Sequence, residues 1–82
     1  MQDMTTDERT IMQAHAQYWQ RKLAEGVAIA FGPVADPSGG WGLGLLEVGD
    51  EGELHVLQAA DPAIQSGRGF RYESLPMVRL VR

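Results

Sequence analysis

Polar and apolar positions recur with a helical period over the first third of the chain. Ile11, Met12, His15, Tyr18, Trp19 and Leu23 return every three or four residues, with Gln13, Gln17, Gln20 and Arg21 between them. That spacing lines the first set along one stripe of a helix. Thr5 and Glu8 stand three apart just ahead of the stripe, as in a capping box with Thr5 at the N-cap and Glu8 at N3. Acidic residues gather in the first turn, where the helix dipole favours them. Gly26 is the natural residue just past the C-terminus, because glycine accepts the left-handed backbone that closes many helices. The pattern predicts a helix over about residues 7–25.

The period then shortens. Val27–Phe31 reads as a short strand stopped by Gly32-Pro33, residues 36–40 form a loop by composition, and Trp41–Val48 reads as a second strand. Together they make a hairpin with a long connection. Gly42 and Gly44 fall two apart on one strand face, which leaves room for something bulky, either the first helix or a ligand. Asp50 as N-cap, with Glu53 as its N3 partner, opens a second helix whose stripe is Leu54, Leu57 and Ala60, flanked by Val56 and Ala59. Asp61-Pro62 ends it, since the residue before a proline avoids the α region. Residues 63–69 are irregular, with room for one helical turn. Phe70–Leu75 alternates like a strand, Pro76 kinks it, and Met77–Val81 continues it. The order is α-β-β-α-β, an α+β chain that matches a ferredoxin-like βαββαβ unit with an antiparallel sheet, minus its first strand.

Length sharpens this picture. Eighty-two residues make one domain, residues 1–82, and a domain of that size buries only about 60% of its unfolded surface. With no cysteine there is neither a disulfide nor a thiolate metal site, and nothing points to an oxidising compartment. Small cores without such staples rely on ideal packing or on association, so a homodimer is expected. No apolar stretch approaches the roughly 20 residues that span a bilayer, and the polar, acidic start is unlike a signal peptide. The expectation is a cytoplasmic domain with no membrane partner. A net charge of −4 argues against nucleic acid. Charge is unevenly spread: residues 68–82 carry Arg68, Arg71, Arg79 and Arg82 against Glu73 alone. Those arginines either protect a strand edge or, if they converge on a concave surface, bind an anion.

Two side chains stand out as candidate chemistry. His15 lies within the apolar stripe, where an imidazole is costly to bury unless its nitrogens are paired. It is either a satisfied structural histidine or a general acid/base, for which imidazole is suited near neutral pH. Asp61 is either a turn-capping residue or, if the fold brings it to His15, the group that fixes the imidazole tautomer and stabilises the imidazolium. The glycine-rich run 39–44 matches no phosphate loop, runs into a strand and is followed by no lysine. His55 faces away from the second helix's stripe and is expected in solvent. No pair of histidines has metal-ligand spacing, and no cofactor is called for.

Residues 12–34, with His15, Tyr18, Gly26 and Gly32-Pro33, resemble the helix, the H-x-x-Y/F pattern and the following G-P of the YCII-related family. Residues 39–46 are similar to its glycine-bearing strand, Ala60-Asp61-Pro62 to its D-P motif, and residues 70–77 to its closing strand. The resemblance implies a ferredoxin-like fold that dimerises as an α/β barrel, with a His–Asp active site at His15 and Asp61. A related dehydrochlorinase acts on a chlorinated hydroxyquinol, and relatives in the wider dimeric barrel superfamily isomerise muconolactones. The expected function is therefore lyase or isomerase chemistry, without a cofactor, on a small cyclic or aromatic oxygenated compound. Tyr18 is either a packed core tyrosine or a pocket residue that donates to a substrate carbonyl, and Gly32, Gly42 and Gly44 would leave the substrate room beside the sheet. The alternative is a binding or assembly module whose His–Asp hydrogen bond is only structural. Family members begin with a strand that this sequence does not show, so either upstream residues are lacking or the last strand rearranges or swaps to close the gap.

Overall fold

The computed structural model describes residues 5–81; Met1–Met4, the polar start noted above, and Arg82 of the arginine group lie outside them. Helix α1 spans Thr6–Ala24. Both halves of its capping box form: the Glu8 N–H donates to Thr5 Oγ1 at 3.1 Å, and the Thr5 N–H donates to Glu8 Oε1 at 3.0 Å. At the other end Gly26 adopts φ +85°. The Gly26 N–H reaches the Leu23 carbonyl and the Val27 N–H reaches the Lys22 carbonyl, the paired bonds that close a Schellman turn. The helix is thus bounded at both ends by residues that satisfy its orphan backbone groups.

Strand β1 (Ala28–Val34) turns back and pairs antiparallel with β2 (Trp41–Leu46). The strand continues through Gly32-Pro33, where the sequence predicts a stop. Among the described residues β1 has a partner on one side only, and proline is compatible with such an edge strand. The register shifts between Ala28 and Ala30, which marks a bulge. In the connection, Asp36 accepts from the Ser38 N–H and from the Trp41 indole N–H, each at 2.9 Å. These bonds hold its carboxyl below the ordinary value.

Helix α2 (Glu51–Ala59) starts at Asp50, whose side chain accepts the Glu53 N–H at 2.8 Å. Glu53 bonds the Gly49 N–H, not that of Asp50, so the expected reciprocal box is displaced by one residue. A single turn, α3 (Pro62–Gln65), follows with Asp61 as its N-cap. The element order among the described residues is therefore α-β-β-α-α, with a two-stranded sheet.

The expected closing strand does not form. Residues 70–81 pair with no strand, although Phe70–Leu75 alternates in sequence. Alternation supplies a face, but a strand exists only where a neighbour takes its N–H and C=O groups. Here side chains hold the segment instead: Tyr72 reaches Asp61 and Trp19, and Ser74 accepts from Gln58 Nε2 at 2.8 Å. Beyond them Leu75, Met77 and Val78 are exposed.

The core is small. Tyr18, Trp19 and Ala28 are buried together, with Leu46 and Leu57 packed against them. The Tyr18 and Trp19 rings meet edge to face at 5.1 Å. Because so few side chains are buried, each carries a large share of the stability. Trp19→Ala should cost about 3–5 kcal/mol, whereas Gln20→Ala on the exposed face should stay within about 0.5 kcal/mol. Urea denaturation of the two variants checks the contrast.

Candidate active site around His15 and Asp61

α1 presents His15 and Trp19 one turn apart on the face that meets the α2–α3 junction. Asp61 sits at that junction because Pro62 forbids α2 from continuing and opens α3 at its first position. Its side chain caps the new turn, accepting the Ala63 N–H through Oδ1 at 2.9 Å. The same carboxylate faces α1. His15 Nδ1 lies 2.9 Å from Oδ1 and 2.8 Å from Oδ2, and the Trp19 indole N–H donates to Oδ2 at 2.9 Å. The Tyr72 hydroxyl donates to Oδ2 as well, and itself accepts from the Trp19 indole at 3.0 Å. Capping and histidine pairing, alternatives in the sequence, are performed by one side chain.

The electrostatics follow from this geometry. Asp61 is 0% exposed. Burial alone would push its pKa up, but the bonds from Tyr72, His15, Trp19 and Ala63 outweigh it and hold the carboxyl below its ordinary value of 3.8. Burial raises the Tyr72 phenol far above its ordinary range, and the adjoining Asp61 charge adds to the effect. Tyr72 is therefore a neutral donor. An ionised carboxylate can only accept, so Nδ1 of neutral His15 carries the proton and Nε2 is left with its lone pair. Among the described residues nothing bonds Nε2, and the His15 side chain is 34% exposed. A shallow cleft of about 470 Å³ is lined by Thr10, Ile11, Pro62, Gln65 and Arg68 among others; it takes in chain neighbours of the pair but neither His15 nor Asp61 itself. Ile11 is one turn before His15 and Pro62 directly follows Asp61.

The remaining expected site residues are placed differently. Tyr18 is buried, and its hydroxyl donates to the Leu57 carbonyl at 2.7 Å. Its proton is thus committed to the main chain, not offered to a substrate. Gly32 pairs with Leu43, whereas Gly42 pairs with Pro33 and Gly44 with Phe31. Directly paired residues share a face, so Gly32 lies on the face opposite Gly42 and Gly44, and the three cannot shape one pocket. No side chain comes within 4 Å of a Cβ built on Gly32. The bulky neighbour expected over Gly42 and Gly44 does not appear either: the nearest atoms there are the Gly32 carbonyl oxygen at 3.9 Å and the Phe31 Cβ at 4.0 Å. Of the arginines, Arg68 borders the cleft and pairs with Asp7 at 3.3 Å, while Arg71 pairs with Glu73 at 3.6 Å, so they do not form one anion site. His55 is exposed. Among the described residues no three acidic or histidine side chains converge as a metal site, and no helix is long and apolar enough to cross a membrane.

Trp19 and Tyr72 are the parts of the site that the sequence does not mark as site residues, although both fall on periodic positions. A signal existed for Trp19: it follows His15 by one turn, and a buried indole N–H seeks an acceptor. For Tyr72 there was none, since its neighbour is set by a segment that forms no ladder.

No curated protein and no solved structure matches the chain. The profile of the YCII-related domain matches residues 1–78, nearly the whole chain. The protein belongs to the YCII-related domain family.

Proposed function

We propose that the protein is a small enzyme in which His15 moves a proton and Asp61 orients and charges it. The observation that carries this reading is the asymmetry of the imidazole: Nδ1 is held by a buried carboxylate, Nε2 has no bonding partner among the described residues, and the side chain is 34% exposed. That is the arrangement a general base needs, with the base oriented by a third group and free at the nitrogen that meets substrate.

The reaction class is an elimination or isomerisation, free of any cofactor, on a small cyclic or aromatic oxygenated compound. In an elimination, Nε2 takes a proton from the substrate while the leaving group, such as chloride, departs with its bonding pair. In an isomerisation, the imidazolium returns the proton at a different carbon. In both, Asp61 stabilises the transient imidazolium. The working form is a homodimer in the cytoplasm. Phe31, Trp41 and Leu43 stand exposed on the hairpin, and Leu75 and Val78 on the closing segment, more apolar surface than a chain with so small a core ordinarily leaves to water.

Screening chlorinated and lactone-type aromatics by thermal shift would identify a ligand, which is then assayed for turnover. His15→Ala should lower the rate by about 10²–10⁴-fold and leave the circular dichroism spectrum intact. Asp61→Asn, which keeps the shape and removes the charge, should show a loss of similar order. A His15→Ala protein that turns over substrate at the parent rate would overturn the reading.

A further inference from the structure

The carboxylate at the centre of the site is held by groups from three places in the chain. α1 contributes His15 and Trp19, α3 contributes the Ala63 N–H, and the segment 70–81 contributes Tyr72. The first two are parts of packed helices. Tyr72 is not: its segment has no ladder bonds, and its other side-chain hydrogen bond to the body of the protein is Ser74 with Gln58. Yet Tyr72 packs edge to face on Trp19, with ring centroids 6.3 Å apart. Its hydroxyl joins Trp19 to Asp61, accepting from the indole and donating to Oδ2. A phenol has one proton to donate, and this one goes to the carboxylate.

We propose that Tyr72 is a positioning residue of the site: its hydroxyl, brought over Asp61 by the closing segment, keeps the buried carboxylate anionic and aimed at His15. This deepens the acid/base reading and rests on it, because a carboxylate that took up a proton would no longer hold the imidazole with Nε2 bare. The other groups around Asp61 cannot substitute for Tyr72. Trp19 and Ala63 already donate, and His15 is the group being served. The Tyr18 hydroxyl is engaged with Leu57, and Arg21 and Lys22 lie over the Tyr18 ring, 5.9 Å and 5.3 Å from its centroid. Arg68 is paired with Asp7 across the cleft.

The test is the titration of the Asp61 side-chain carboxyl by carbon-13 NMR in the ligand-free protein. Removing the hydroxyl in Tyr72→Phe should move the Asp61 midpoint up, because the carboxylate loses a donor. The sign also appears in stability. A carboxyl with a lowered native value contributes stability that is complete above its ordinary 3.8 and is lost as pH falls through the native midpoint. In Tyr72→Phe that contribution should be smaller, and its loss, which still begins near the ordinary value, should be complete at a higher pH. A difluorotyrosine at position 72 keeps the ring and donates more strongly, so it should move the midpoint down. Ser74→Ala, which cuts the segment's other tie, should leave it in place. A folded Tyr72→Phe protein with an unmoved Asp61 midpoint would overturn the proposal, as would a difluorotyrosine protein whose midpoint rises. Neither readout involves turnover, so this proposal can fail while the dependence of rate on His15 stands, and the reverse.

Discussion

Asp61 holds a carboxylate where no solvent reaches it, and a charge in that position persists only if donors replace the water it has lost. Four groups do so, and each comes with a structural consequence. The Ala63 N–H makes the α2–α3 corner. The Trp19 indole ties that corner to α1 inside the small core. Tyr72 anchors a segment that no strand receives. His15, the fourth, is the one with an unused nitrogen. Remove the carboxylate and the corner, the helix packing and the segment all lose a common attachment, which in a domain this small is a large part of what defines the fold.

The same arrangement explains why a polar centre is tolerated in so small a core. A half-satisfied buried network destabilises more than an apolar one would, but no buried side-chain nitrogen or oxygen is left without a partner among the described residues. The saturation also fixes the division of labour in the proposed chemistry. With so many donors stabilising the anion, Asp61 is a poor proton acceptor, so proton movement falls to the one basic nitrogen that is not engaged. The apolar side chains most exposed to solvent include Trp41 and Leu43 on the hairpin, Val56 on α2, and Leu75 and Val78 on the closing segment.

Local signals in the sequence were legible wherever the controlling interaction lay within a few residues. Thr5, Glu8 and Gly26 announce the ends of α1, Asp50 announces the start of α2 and Asp61-Pro62 its end, because caps are short-range chemistry. The identity of His15 and Asp61 as candidates was legible from an imidazole on an apolar stripe and an acid before proline. Their meeting across 46 residues was not, and rested on the family resemblance. The failures share one cause. The sequence predicts a stop at Pro33, but a missing N–H matters only where that edge of the strand is paired, and it predicts a strand over Phe70–Val81, which nothing among the described residues receives. Whether a neighbour exists is a tertiary fact, and it also decided that Gly32 faces away from Gly42 and Gly44.

The central claim is that a buried, anionic Asp61 holds the proton on one nitrogen of His15 and leaves the other bare. Nitrogen-15 NMR of the imidazole in its neutral form reads this directly. The account predicts a protonated Nδ1 and an unprotonated Nε2. A neutral His15 with its proton on Nε2 would contradict it, because the free base that the proposed chemistry requires would then not exist.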